Sequence, residues 1–137
     1  MIAEDDLMIA DMIEGLLVAH GYQVCGIAAT VAAAVALALR DKPDLAVIDL
    51  RLADGGLGTE IAVQLKGHHM PGILYATGNA ANVILTAANG QACISKPYSE
   101  AGLLRALDLV TEIVATGRAS PPFPRGFKIL TPLAVLQ

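Results

Sequence analysis

The sequence predicts an α/β domain in which helices cover both faces of a parallel sheet, and two observations carry that expectation. The 137 residues are 55% hydrophobic, yet aromatics make up 4% and tryptophan is absent, so the apolar mass is Ala, Leu, Ile and Val. This composition suits helices packed on a buried sheet. Along the chain, five short apolar runs alternate with five segments of helical spacing, a pattern that parallel strands with crossover helices satisfy. The length is that of one domain, and a chain of this size buries about two-thirds of its unfolded surface without needing staples.

The elements follow in order. Residues 1–3 are apolar and stop against Glu4, Asp5 and Asp6, which reads as a very short strand with acids at its carboxyl end. Met8, Met12 and Leu16, with Ile9, Ile13 and Leu17, then recur at helical spacing, with Asp6 as the cap and Gly21 as the stop. Residues 23–28 read as a strand. Thr30 caps an alanine-rich helix carrying Val31, Val35 and Leu39, which Asp41 and Pro43 end. The run LAVIDL, 45–50, is the pattern of a strand covered on both faces. A glycine-rich loop, DGGLG, leads to a short helix over 59–66. GILYAT, 72–77, is the fourth strand, 81–88 a short helix stopped by Asn89 and Gly90, and 92–95 the fifth strand. Ser99 caps the last helix, which carries Leu103, Leu104, Leu107, Val110 and Val114. Residues 117–137 hold four of the seven prolines and read as an extended tail. Its PPFP piece suits polyproline II. Its FKIL and LAVL pieces suit a groove on the domain or a partner subunit, and composition alone leaves disorder and recruitment of another protein open.

Charge and cysteine content exclude several classes. The net charge of −4 is uneven: residues 1–116 stand at −7 and residues 117–137 at +3. An acidic body opposes non-specific attraction to nucleic acid or an anionic membrane, and the short basic tail has no recognition-helix pattern. There is no apolar run of 18 residues and no basic leader before an apolar stretch, so a cytoplasmic protein is expected. Cys25 and Cys93 lie too far apart in sequence, and too isolated, for a disulfide scaffold or a zinc knuckle. Cys93 reads as a buried strand side chain, His20 as a helix-end residue, and His68 with His69 as a loop pair lacking further ligands. The glycines at 55, 56 and 58 form neither a phosphate-binding loop nor a dinucleotide fingerprint.

The chemistry collects at strand ends. In an open parallel sheet, ligands gather beyond the carboxyl ends of the strands. Glu4, Asp5 and Asp6 end the first strand here, Asp49 the third, Thr77 the fourth and Lys96 the fifth. Converging carboxylates repel unless a cation sits among them, and hard oxygen ligands suit Mg2+. One ammonium and one hydroxyl beside such a cation fit phosphoryl transfer.

These positions carry a resemblance. AEDD at 3–6, AVIDLRLADG at 46–55, YATG at 75–78 and SKPY at 95–98 stand in the order and places of the receiver domain of two-component response regulators, which the chain resembles over residues 1 to about 116. The resemblance implies a flavodoxin-like five-stranded sheet of order 2-1-3-4-5. It implies that Asp49 accepts a phosphoryl group from a histidine kinase or phosphotransfer protein. Asp5 would ligate Mg2+, Glu4 would assist through the metal or its water, and Asp49 with the backbone carbonyl of Arg51 would complete the ligand set. Thr77 would bond a phosphoryl oxygen, Lys96 would pair with the phosphoaspartate, and the Lys96–Pro97 peptide would be cis. Homodimerisation stays open.

Departures from the family pattern are specific. Cys93 occupies the place of the switch aromatic, three residues before the lysine. Tyr75 resembles the aromatic of the FATG-type motif in receivers found with HWE-type histidine kinases, while Asn79 and Ala80 do not continue that motif. Only 18 residues separate Thr77 from Lys96, so the fourth helix is expected to be short or irregular. These departures motivate a second reading, a protein-interaction module that keeps the fold without phosphotransfer. A third, a small metal-dependent phosphatase, lacks a cap for an external substrate and a second aspartate beside Asp49.

Overall fold

The computed structural model describes residues 1–78 and 84–132. The elements are β1 (Ile2–Ala3), α1 (Leu7–Ala19), β2 (Ile27–Ala28), α2 (Val31–Asp41), β3 (Leu45–Asp49), α3 (Thr59–Leu65), β4 (Gly72–Thr77), β5 (Ala92–Ser95), α4 (Glu100–Thr116) and β6 (Phe127–Ile129). The sheet order is β2-β1-β3-β4-β5-β6. The first five strands pair in parallel and β6 is antiparallel to β5. This is the expected order 2-1-3-4-5 with one strand added.

Side-chain alternation divides the core into two layers. On one face Val31, Ala34 and Leu37 of α2 and Ile61 and Leu65 of α3 pack on Ile48, Ile73 and Tyr75. On the other, Ala10, Ile13 and Leu17 of α1 and Leu103, Leu107 and Val110 of α4 pack on Ile2, Val47, Leu74 and Ile94. β3 and β4 are therefore covered on both faces, which is why their sequences are nearly unbroken apolar runs.

The caps lie where the sequence places them. Asp6 Oδ1 accepts the amides of Met8 and Ile9 at 3.0 and 3.3 Å, Thr30 Oγ1 that of Ala33 at 3.1 Å, and Ser99 Oγ that of Gly102 at 2.9 Å. Each satisfies helix N-terminal donors that have no intrahelical partner.

Three expectations are corrected. The strand expected over 23–28 shortens to Ile27–Ala28, because β1 offers only Ile2 and Ala3 to pair with it. The helix expected over 81–88 has no counterpart in residues 84–88, while 81–83 lie outside the described residues. Side chains there compete for backbone groups: Asn89 Oδ1 accepts the Thr86 amide at 2.8 Å, and Thr86 Oγ1 accepts that of Ala88 at 3.3 Å. The segment is then tied to β4, since Gln91 Oε1 accepts the Ile73 amide at 2.6 Å and the Tyr75 hydroxyl donates to the Asn89 carbonyl at 2.7 Å. The domain accordingly has four α-helices among the described residues, where five were expected. Third, the segment read as an extended tail is in part a strand: of the alternatives left open for FKIL, packing on the domain is the one seen, as β6 lies on β5 and Leu130 is buried.

Candidate functional site

β1, β3, β4 and β5 end side by side, and their last residues meet. Parallel pairing puts Ala3 beside Ile48, Asp49 beside Ala76, and Thr77 beside Ser95. Each chain then turns out of the sheet, leaving polar side chains at the common edge. Glu4, Asp5 and Asp49 bring one carboxylate oxygen each to within 4.8 Å of one another. Lys96 reaches across from the end of β5, with its Nζ 3.0 Å from Asp49 Oδ2 and 3.6 Å from Glu4 Oε1.

The two carboxylates that face Lys96 are held differently. Asp49 Oδ1 accepts the Arg51 amide at 3.3 Å, which turns its other oxygen to the lysine. Glu4 is buried at 3% exposure and accepts the Asp5 amide at 3.0 Å. Burial, reinforced by the hydrogen bond and negative charge of Asp49, pushes the Glu4 carboxyl up to about 7, against the opposing pull of Lys96. Burial disfavours the charge on Lys96, but the hydrogen bond and charge of Asp49, with the charge of Glu4, outweigh it and hold its pKa above the ordinary lysine value. Asp5 is exposed at the mouth.

Thr77 ends β4 at the same edge of the sheet. It is 1% exposed, and its Oγ1 has no hydrogen-bond partner among the described residues. A buried hydroxyl without a partner is costly and rare, and an incoming oxygen would satisfy it. Its carbonyl accepts the Lys96 amide at 2.7 Å, which fixes the start of the lysine segment. The Lys96–Pro97 peptide is cis. Glu4, Asp5 and Asp49 offer hard oxygen donors of the kind that suit a divalent cation, with the Lys96 ammonium against two of them.

Of the residues the sequence singles out, the structure brings Glu4, Asp5 and Asp49 together with Lys96 against Asp49 and Glu4, and sets Thr77 at the end of the adjoining strand β4. Arg51 is adjacent through its amide. Asp6 is a cap and stands outside the cluster. Sequence reasoning missed two residues. A Cβ on Gly58 would lie 2.7 Å from Ile48 Cγ2 and closer still to the Asp49 carbonyl oxygen, so only glycine lets α3 approach the end of β3. Tyr98, half-buried behind the cleft, has its phenol pushed up by burial, with Lys96 pulling the other way and Glu4 and Asp49 adding to the rise. The SKPY motif was the available signal for Tyr98, whereas nothing in the sequence separates Gly58 from the neighbouring glycines.

Comparison with known proteins agrees with this architecture. Residues 1–108 match the response regulator receiver domain family. A CheY-like response regulator receiver domain protein from Methanospirillum hungatei is 27% identical, with 83% of this chain and 94% of that one covered and a TM-score of 0.69. The response regulator PhyR from Brucella abortus is 25% identical, with 85% of this chain but 51% of that one covered and a TM-score of 0.61. The receiver domain of PhyR from Erythrobacter litoralis, at 23% identity, 88% and 91% coverage and a TM-score of 0.67, is alike in fold. No curated protein matches the chain. With the family match spanning most of its length and the strand-end cleft in place, the chain belongs to the response regulator receiver domain family.

Proposed function

We propose that this receiver accepts a phosphoryl group on Asp49 from a phosphohistidine of a histidine kinase or phosphotransfer protein and signals by protein–protein contact. The observation that carries the reading is the pairing of the Asp49–Lys96 contact with the unpartnered Thr77 hydroxyl on the adjoining strand. Asp49 Oδ attacks phosphorus, the phosphorus–nitrogen bond breaks, and the histidine leaves with the electron pair of that bond. Thr77 donates to one phosphoryl oxygen and Lys96 holds another, so charge that develops in transfer meets donors already in position. Glu4, Asp5, Asp49 and the Arg51 carbonyl are the groups that would hold Mg2+. When bound, the ion neutralises phosphoryl oxygens and offsets the repulsion among the carboxylates.

The YATG motif, through Tyr75, points the donor toward HWE-type kinases. Tyr75 is fully buried and bonded to Asn89, and Cys93 lies beside it in register, so the small side chain at the switch position is backed by a fixed aromatic. That packing also favours the second reading, a module whose partner affinity ignores Asp49.

Intact mass spectrometry after incubation with a small phosphodonor and Mg2+ tests the proposal. The expected result is an acid-labile gain of one HPO3 unit, dependent on Mg2+ and absent in D49N. An unmodified wild-type protein under those conditions would sink it, and identical partner affinity in wild type, D49N and donor-treated protein would favour the second reading.

A further inference from the structure

The C-terminal segment runs back over the edge of the sheet. After α4 ends at Gly117, the chain returns along β5. Arg105 on α4 donates to the carbonyls of Pro122 and Ser120 at 3.0 and 2.8 Å, and the rings of Phe123 and Phe127 stack with centroids 5.9 Å apart. Phe127, Lys128 and Ile129 pair with Ile94, Cys93 and Ala92. The Ser95 amide donates to the Gly126 carbonyl at 3.1 Å and the Leu130 amide to that of Gln91 at 2.9 Å. Leu130 is the one buried side chain among described residues 117–132, seated in the cluster that holds Ile73, Tyr75 and Cys93.

The attachment consists of a three-residue strand, one buried aliphatic side chain, the half-buried Phe127 and Ile129, one further backbone bond from the Ala87 amide to the Thr131 carbonyl, and exposed hydrogen bonds from Arg105. Segments held this way open locally well before the domain unfolds. When this one lifts, β5 presents a row of unpaired backbone groups beside the hollow that Leu130 fills. We propose that the β5 edge is a docking surface for an extended segment of a partner protein, which adds as an antiparallel strand in place of the chain's own.

The resident strand specifies the chemistry of that partner. Gly126 has φ +78°, and a Cβ there would stand 3.2 Å from Ser95 Cβ, so the segment needs glycine opposite Ser95. It needs an aliphatic side chain four residues later, where Leu130 sits. It is basic, because residues 1–116 carry −7 and Arg118, Arg125 and Lys128 give the resident segment +3. Ser95 immediately precedes Lys96, so an added strand bonds the residue next to the one that grips Asp49. The surface does not depend on Asp49 being phosphorylated.

The test uses the full chain and a fluorescent peptide of residues 123–132. Gly126→Ala loosens the strand, and Gly67→Ala is the control, since Gly67 has φ +86° but nothing within 4 Å of a Cβ. Saturable one-to-one binding to G126A, about tenfold tighter than to wild type or G67A, is expected once the tethered competitor is weakened. In the unaltered protein, amides of 127–130 are expected to exchange at least about tenfold faster than those of β4. Should G126A not fold, Arg105→Ala loosens the same segment from a half-buried position outside the strand. Strand amides as slow as those of β4, or a loosened variant that ignores the peptide, would overturn the proposal. Dimerisation of G126A that excludes the peptide would overturn it too, by giving the edge to a second copy.

Discussion

Two glycine-to-alanine substitutions in this chain should move stability in opposite directions. Gly58 has φ −56° and ψ −30°, a conformation alanine adopts freely, so backbone strain is absent and the unfolded chain alone would favour alanine by about 0.4–1 kcal/mol. The obstacle is steric. The new methyl would meet the Asp49 carbonyl oxygen and Ile48 Cγ2, the latter at 2.7 Å, and neither is the free end of a flexible side chain. Overpacking of this kind costs about 3 kcal/mol at the upper end of its usual range, leaving a net loss of about 2 kcal/mol. Unfolding entropy near 2.1 cal/mol/K per residue gives roughly 0.3 kcal/mol/K for this length, so G58A should melt roughly 7 °C lower. Gly15 lies on the exposed face of α1 with nothing within 4 Å of a Cβ. There G15A should gain about 0.5–1 kcal/mol and melt roughly 2–3 °C higher. Thermal unfolding followed by far-ultraviolet circular dichroism measures both. A G58A protein as stable as wild type, or a G15A protein that loses as much, would refute the packing argument.

Other outcomes follow from caps, thiols and phenols. Asp6→Ala removes the acceptor for the Met8 and Ile9 amides and should cost about 1 kcal/mol, read as a lower urea midpoint with unchanged slope. Cys25 is exposed, whereas burial covers Cys93 and raises its thiol pKa against the pull of Lys128. A thiol-reactive dye should therefore modify one cysteine quickly and the second much more slowly, and two fast equivalents would contradict the packing of β5. Burial raises the phenols of Tyr22, Tyr75 and Tyr98 above the ordinary tyrosine value. The folded state then keeps protons that the unfolded state releases above about pH 10, so stability present below that pH is lost as pH rises through it. Urea midpoints between pH 8 and 11 should fall, and less steeply in Y75F; a flat profile would contradict the burial of Tyr75.

Much of this was legible in the chain because it depends on local rules. Asp6, Thr30 and Ser99 are capping types at the start of helical patterns, and each caps. GILYAT and ACIS are bounded by polar and turn residues, and the strands they form have those bounds. Acids, threonine and lysine at separate strand ends come to one edge because parallel strands place all their carboxyl ends on one side of a sheet. The tertiary structure decided the rest. The course of the chain into β5 depended on Asn89 and Gln91 being tied to Tyr75 and Ile73 of β4, contacts made across 14 and 18 residues. The length of β2 depended on the residues β1 could offer it, and the fate of FKIL on an open edge at β5. Composition and spacing describe what a segment can do alone; pairing, close approach and burial are set by what the rest of the chain brings beside it.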